Sequence, residues 1–398
     1  MYTTILFIVY KLTDEIIEKN KLANYFANKK NVCHAPFISL NFDSSGIVTA
    51  CCANRSHILG KYPENTISEI WYGEKIKELR AALNNFDFSK GCELCFNRIK
   101  EGALQNSQLK SYDVQLDTNI MPVMMEIEIS TICNYECIMC GGKWSSSIRK
   151  NREKLPPLPT PYDEKFVDDI RPYARTLKYI KLLGGEPFAA PVYYKMIDML
   201  YEVNKDIDIV ITTNGSIFND RIKNILKRGQ RIDLCLSIDS LNSETYKFIR
   251  KNGDLENVLS NVEIIKDIEK EIHRDILKTI AFCPMIQNWR EIPDIIQYCK
   301  QNRGLMLYLN HVTGPLGGRI QGLHETAVEK RSEIYNGVAN QKIFNTVVLD
   351  QQIPEVSLFT LPKEEQYEIA MFLKDAIKNE HDTYKAPVHG LINSLLGI

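Results

Sequence analysis

Neither sign of charge dominates this 398-residue chain. Its 49 lysines and arginines meet 50 aspartates and glutamates, so the net charge is −1 and the pI is near 6.7. That balance argues against a nucleic-acid footprint or an anionic-membrane surface. Long hydrophobic runs are missing too: the apolar stretch 5–10 is too short to span a bilayer. It has no basic segment before it and no small-residue cleavage site after it, so it does not read as a signal peptide. No low-complexity tract, short-period repeat, Walker, dinucleotide-binding or zinc-hydrolase motif is found. The expectation is a soluble, cytoplasmic protein without nucleic-acid or membrane partners.

Cysteine, by contrast, is plentiful. The chain holds 11, and eight of them fall in two tight constellations. Disulfides are disfavoured in a reducing compartment, so metal binding or redox chemistry explains them better.

The length suits one large domain and a smaller one. Residues 1–32 read as an N-terminal extension and 33–100 as a small α+β module. The module has a hairpin, 37–42 and 47–51 around the turn 43–46, then one helix over 67–80 with apolar residues at 67, 70, 71, 76 and 79. A polar connector follows over 101–122. From 123 to 311 strands at 124–130, 177–183, 207–213, 231–238, 276–283 and 305–310 alternate with helical patterns. Such βα units imply a parallel sheet, here an α/β partial (β/α)6 TIM-like barrel with reactive groups at the strand carboxyl ends. Residues 312–398 form a tail with a helix at 363–379.

Cys133, Cys137 and Cys140 follow the first barrel strand, spaced C-x3-C-x2-C. Zinc sites favour four ligands. Three thiolates on a tight loop suit a cubane iron–sulfur cluster whose fourth iron stays open to a small molecule. A zinc knuckle or unrelated core thiols are the alternatives. The second strand ends in Gly184-Gly-Glu-Pro187, the third in Thr212-Thr-Asn-Gly215 and the fourth in Ser237-Ile-Asp239.

Taken in this order, these motifs resemble the radical S-adenosylmethionine (radical SAM) superfamily, with Met139 in the slot before the third cysteine. The resemblance implies a [4Fe–4S] cluster on Cys133, Cys137 and Cys140, and S-adenosylmethionine (SAM) bound to its open iron. It implies SAM contacts from Met139, Gly184, Gly185, Glu186, Pro187, Thr213, Asn214, Ser237, Asp239 and Arg250. It implies reductive cleavage of SAM to a 5′-deoxyadenosyl radical that abstracts a hydrogen atom from substrate, with flavodoxin or ferredoxin as electron donor. For Glu186, Asn214 and Arg250 the alternatives are a helix-start acid, a local Asn-Gly turn and a solvated arginine.

Cys33, Cys51, Cys52, Cys92 and Cys95 precede the barrel. Their order, with Gly46 five residues before Cys51 and Gly91-Cys-Glu-Leu-Cys95 after the Trp71 helix, resembles the SPASM or twitch module that binds auxiliary clusters in this superfamily. The resemblance implies an auxiliary [4Fe–4S] cluster on Cys33, Cys51, Cys92 and Cys95, with Cys52 a packed thiol. Zinc on the same four ligands is the alternative.

Cys235 shares a strand face with Ser237, Cys283 ends the fifth strand, and His311 follows the sixth. These three are the candidate catalytic residues, the cysteines as hydrogen-atom donors; ordinary packing is the alternative for each. Relatives carrying such modules modify ribosomally made peptides by crosslinking, thioether formation or epimerisation, so a peptide is the expected substrate. The alternatives are dehydrogenation or epimerisation of a sugar or other small metabolite, and a non-catalytic iron–sulfur scaffold.

Overall fold

The computed structural model describes residues 11–19, 22–27, 29–100, 104, 107–113, 121–302, 305–309 and 356–397. The chain divides into two compact units, one made mainly of residues up to 126 and the other mainly of 127–396.

The first unit is built on a short antiparallel hairpin. β1 (Ser39–Phe42) pairs with β2 (Ile47–Thr49), Asn41 facing Thr49 and Phe42 facing Val48. β2 then pairs with β3 (Gly60–Lys61). The connection closes because Asp43 accepts Ser45 N–H through its carboxylate and Gly46 N–H through its carbonyl. Gly46 turns the chain at φ 92°, a left-handed conformation that a side chain resists.

Where one helix was expected over 67–80 there are two, α1 (Ile67–Tyr72) and α2 (Glu74–Asn84). Gly73 between them is extended, at φ −68° and ψ 168°, and a Cβ there would lie 2.6 Å from Glu69 O. The break re-aims the stripe without exposing it: Ile67, Ile70, Trp71, Ile76 and Leu79 are all buried. Thr66 and Glu69 start α1 with a reciprocal capping box, the Thr66 hydroxyl accepting Glu69 N–H and the Glu69 carboxylate accepting Thr66 N–H. α3 (Glu93–Lys100) follows.

The boundaries of this unit are wider than the sequence pattern implied. Leu12 N–H bonds Phe86 O and Val32 N–H bonds Leu83 O, so the described part of 1–32 is fastened to the module. The expected connector 101–122 contains a helical turn, Gln108–Tyr112, whose Leu109 and Tyr112 are buried. Leu104, also within that segment, is buried as well.

In the second unit β5 (Tyr179–Leu182), β6 (Asp208–Thr213), β7 (Arg231–Ser237), β8 (Leu277–Phe282) and β9 (Leu305–Leu309) pair in parallel, in chain order. β4 (Met124–Ile127) precedes them, and Leu183 just past β5 donates its N–H to Ile127 O. Every expected strand is present, trimmed by a few residues. Alternation sorts the side chains: Ile180, Leu182, Ile209, Ile211, Leu234 and Leu236 lie on the fully buried face, and Cys235 and Ser237 on the half-exposed one.

The helices are α4 (Ser146–Asn151), α5 (Glu164–Ala174), α6 (Pro191–Val203), α7 (Asp220–Lys227), α8 (Ser243–Ile249), α9 (Leu255–Ile272) and α10 (Ile292–Gln301). Asp163, Asn219, Asn242 and Asp254 cap four of them by accepting first-turn N–H groups. This is the βα alternation of a partial TIM-like barrel.

The tail departs from expectation. α11 (Lys363–Ala376) stands where a helix was read, and α12 (Asp382–Leu396) is an addition. Its Val388, Leu391, Ile392 and Leu395 form a helical-period stripe that is buried. Pro387 inside it masked the pattern. Among the described residues no helix is long and apolar enough to cross a membrane.

Candidate active site and four-cysteine cavity

The loop bearing Cys133, Cys137 and Cys140 is clamped from two sides. On one side stand three serines. Ser145 Oγ donates to Tyr135 O at 2.8 Å and accepts Ile148 N–H, starting α4. Ser146 Oγ accepts Cys133 N–H at 3.2 Å, and Ser147 Oγ donates to Cys133 O at 2.7 Å. On the other side the loop is zipped to the end of α8: Glu136 N–H bonds Lys251 O and Ile138 N–H bonds Ile249 O. Cys140 N–H closes a turn on Cys137 O, and the Arg152 guanidinium binds the carbonyls of both residues. The sulfurs therefore hang from a fixed backbone.

Burial pushes the Cys133 thiol up to about 11 and Cys140 up to about 12, with nearby cysteines adding to both. Cys137 is raised as well, by burial against the opposing pull of Arg250. Binding of a metal ion by these sulfurs would displace their protons.

Arg250 departs from the solvated alternative. It is 8% exposed; its Nε donates to Asp239 Oδ2 at 2.7 Å, and its Nη1 reaches Cys137 Sγ at 3.7 Å. Burial opposes its charge, yet the Asp239 carboxylate and the Cys137 sulfur hold its pKa above the usual arginine range. Asp239 is fully buried; its second oxygen accepts Cys283 N–H at 2.7 Å, and its carbonyl accepts Asn288 Nδ2. The two residues expected to meet SAM separately are thus joined, one end of the pair lying on a cluster-loop sulfur.

Glu186 is buried beside the same loop. Its Oε1 accepts Phe188 N–H and the Thr213 hydroxyl, and its Oε2 accepts Asn214 N–H at 2.7 Å. Burial raises its pKa while those donors pull it down. The Asn214 side chain joins the cluster loop through Asn134 and turns back on Ser216. The glycines before Glu186 serve a purpose not read from sequence. A Cβ at Gly184 would lie 2.5 Å from Ser130 O, and one at Gly185 2.2 Å from Ile132 O. Gly185 N–H and Glu186 N–H bond those same carbonyls. The missing side chains let the Gly-Gly-Glu-Pro187 turn seat on the stem of the cysteine loop.

Met139 packs against an apolar cluster of Ile249, Cys283, Met285 and Val356. Val356 brings the C-terminal segment into this region. Cys283 is buried there, its pKa pushed well up by burial first and the Asp239 carboxylate second. Cys235 sits on the half-exposed strand face with Ser237, as alternation implied. His311 lies outside the described residues.

In the first unit, Cys33, Cys51, Cys92 and Cys95 line one cavity, together with Leu79, Leu83, Phe88, Asn54, Gln108, Leu109 and Tyr112 among others. Cys52 is not in its wall; its N–H donates to Glu126 Oε2 at 3.2 Å. Cys51 and Cys52 lie past the end of β2 in a bend, so the bend, rather than strand alternation, separates them. All four sulfurs receive N–H groups: Cys33 from Ala35 N at 3.5 Å, Cys51 from Asn54 N at 3.4 Å, Cys92 from Asn54 Nδ2 at 3.3 Å, and Cys95 from the backbone of Leu109 and Gln108. Burial raises all four thiols, Cys33 to about 12. Among the described residues no three His, Cys, Asp or Glu side chains are grouped as for a single metal ion. Four sulfurs around one cavity, met by N–H donors, are a donor set that fits an iron–sulfur cluster.

The radical SAM superfamily pattern matches residues 127–299. Residues 127–299 are thus a radical SAM superfamily domain. An iron–sulfur cluster-binding domain, SPASM, matches residues 33–96 and so precedes the radical SAM domain. The protein is thus a radical SAM enzyme whose cofactors are a SAM-binding [4Fe–4S] cluster, SAM itself and an auxiliary iron–sulfur cluster.

Among its relatives is the GTP 3′,8-cyclase of Campylobacter jejuni, 23% identical over 248 residues, which are 62% of this chain and 71% of that protein. A probable GTP 3′,8-cyclase of Methanocaldococcus jannaschii is 25% identical over 53% of this chain and 65% of its own length. Among solved structures, SuiB of Streptococcus suis bound to S-adenosylmethionine is 17% identical over 70% of this chain and 58% of that one, with a TM-score of 0.40. The chain therefore spans little more than half the length of that solved relative, and so loose a likeness bears on neither substrate nor mechanism.

Proposed function

We propose that this radical SAM enzyme abstracts a hydrogen atom from a small polar metabolite, such as a nucleotide or a sugar. The observation that carries the substrate class is the similarity to GTP 3′,8-cyclases, whose names specify a small molecule. The expectation of a ribosomal peptide gains nothing from those relatives. It stays as the second reading because a SPASM domain lies ahead of the radical SAM domain.

When bound, the cluster and SAM supply one-electron reduction of the sulfonium and a 5′-deoxyadenosyl radical, the electron coming from flavodoxin or ferredoxin. The chain's residues do the holding. In this reading Cys133, Cys137 and Cys140 ligate the SAM-binding cluster. Arg250, kept in place by Asp239, sets a positive charge against the Cys137 sulfur and offsets the negative charge that reduction adds there. Glu186 Oε2 accepts one N–H and keeps acceptor capacity for the SAM ammonium. Gly184, Gly185 and Pro187 shape the turn that delivers it. Thr213 and Asn214 fix the Glu186 carboxylate. Ser237, on the half-exposed face, is left for the ribose, and Met139 with its apolar neighbours for the adenine. Cys283 stands next to that apolar cluster as the candidate hydrogen-atom donor, with Cys235 as the alternative. Cys33, Cys51, Cys92 and Cys95 ligate a [4Fe–4S] auxiliary cluster.

The test is anaerobic reconstitution with dithionite and SAM, followed by measurement of 5′-deoxyadenosine. Candidate metabolites, GTP first, are then added in deuterated form. Deuterium in 5′-deoxyadenosine from a small molecule supports the proposal. Deuterium arriving only from a peptide encoded nearby decides for the second reading.

A further inference from the structure

Asn54 is 2% exposed and every polar atom of its side chain is engaged. Nδ2 donates to Lys90 O at 2.8 Å and to Cys92 Sγ at 3.3 Å, and Oδ1 accepts His57 N–H at 3.1 Å. Its backbone N–H donates to Cys51 Sγ at 3.4 Å. One residue therefore presents N–H groups to the sulfurs of two cysteines that lie far apart in sequence, inside the cavity those cysteines line.

A neutral thiol is a weak acceptor, and a buried amide needs good partners. A thiolate sulfur carrying part of a cluster's negative charge is a much better one. The amide's placement makes chemical sense once those sulfurs hold iron.

Gly91 is built for the same contact. It adopts φ 79°, and a Cβ there would lie 2.3 Å from Asn54 Oδ1. A side chain at 91 would collide with the amide as well as strain the backbone. The glycine ahead of Cys92 thus makes room for the residue that hydrogen-bonds Cys92.

We infer that Asn54 is a positioning residue for the auxiliary cluster, aiming N–H groups at the Cys51 and Cys92 sulfurs and thereby raising that cluster's reduction potential. The inference rests on the ligand set proposed above. Reduction adds negative charge to the cluster, N–H donors at its sulfurs stabilise that charge, and removing a donor lowers the potential.

The experiment is a potentiometric titration of the reconstituted holoenzyme, read by electron paramagnetic resonance. The signal that SAM leaves unchanged is assigned to the auxiliary cluster. Asn54→Ala removes the side-chain donor; Asn54→Asp keeps the shape and the bond from His57 but puts a negative charge at the sulfur. Iron content is measured in each. The expected result is full iron and a lower potential for the SAM-insensitive cluster. At a fixed poise its ratio of reduced to oxidised cluster falls about tenfold in Asn54→Ala, which is 59 mV for one electron, and further in Asn54→Asp. The SAM-sensitive cluster stays where it was. A SAM-insensitive potential that stays put or rises in both variants, with iron full, overturns the inference. Failure of the ligand set shows differently: Cys92→Ala would then keep all its iron.

Discussion

Cys33, Cys51, Cys92 and Cys95 reach their cavity from separate segments: the run-in to β1, the bend after β2, and the start of α3. Cys133, Cys137 and Cys140 share a single loop of eight residues after β4. In the cavity the hydrogen-bond donors to sulfur are neutral amides. At the loop a neutral backbone donor reaches Cys133 as well, and Cys137 is met in addition by the guanidinium of Arg250, itself held by a buried carboxylate. On the proposed ligand sets, four thiolates close the auxiliary cubane and leave it electron transfer or bracing of the fold. Three thiolates at the other site would leave one iron for SAM, and the Arg250 cation beside that cluster would ease the arrival of an electron. The contrast teaches that cysteine count sets what a cluster binds, and that the donors to its sulfurs set how readily it is reduced.

The sharpest way to break the comparison is to remove one thiol from each site. Cys137→Ala is expected to lose about four of roughly eight irons and all 5′-deoxyadenosine formation. Cys92→Ala is expected to lose a similar amount of iron while still cleaving SAM in the absence of substrate. Iron assay and chromatography of the nucleoside products check both.

Next in size is Arg250→Met. It leaves the Asp239 carboxylate fully buried without its cation partner, a loss of about 3–5 kcal/mol visible in thermal unfolding of the apoprotein. The double variant Arg250→Met/Asp239→Leu is expected to regain much of that stability but not the potential of the SAM-sensitive cluster. Those two readouts separate the ion pair's structural part from its effect on the cluster.

Glu186→Gln replaces an acceptor of three donors with a group that must turn its own NH2 toward one of them. About 1–3 kcal/mol of stability goes with it, along with weaker SAM binding measured by calorimetry on the reconstituted enzyme. The smallest effect belongs to the first unit: Thr66→Ala removes the cap of α1 and is expected to cost about 1 kcal/mol. It should leave both cluster signals unchanged, since α1 stands outside the cavity wall.

The barrel strands were readable because period-two burial is written locally, in runs such as Asp208–Thr213. The Cys133–Cys140 motif was readable because its spacing is local too, whereas the dispersed set Cys33, Cys51, Cys92 and Cys95 was read only through its resemblance to a known module. Asn54 was not, because its partners Lys90 and Cys92 lie 36 and 38 residues away and only the folded module brings them close. Ser145, Ser146 and Ser147 did leave a trace, three hydroxyls in a row just after the cysteine loop, typical of a helix start. The pairing of Arg250 with Asp239 depends on how α8 returns to the end of β7, which no spacing rule gives. Gly73 was the visible sign of the broken helix, but a lone glycine in an apolar stripe does not say whether the chain kinks or continues.

The division of labour between the two cysteine sites is tested most directly by electron paramagnetic resonance of the reduced holoenzyme, with and without SAM. The expected result is two cluster signals, of which SAM alters one. The altered signal persists in Cys92→Ala and vanishes in Cys137→Ala. If SAM changes neither signal, or changes the one that depends on Cys92, the open-iron assignment to the Cys133–Cys140 loop is wrong.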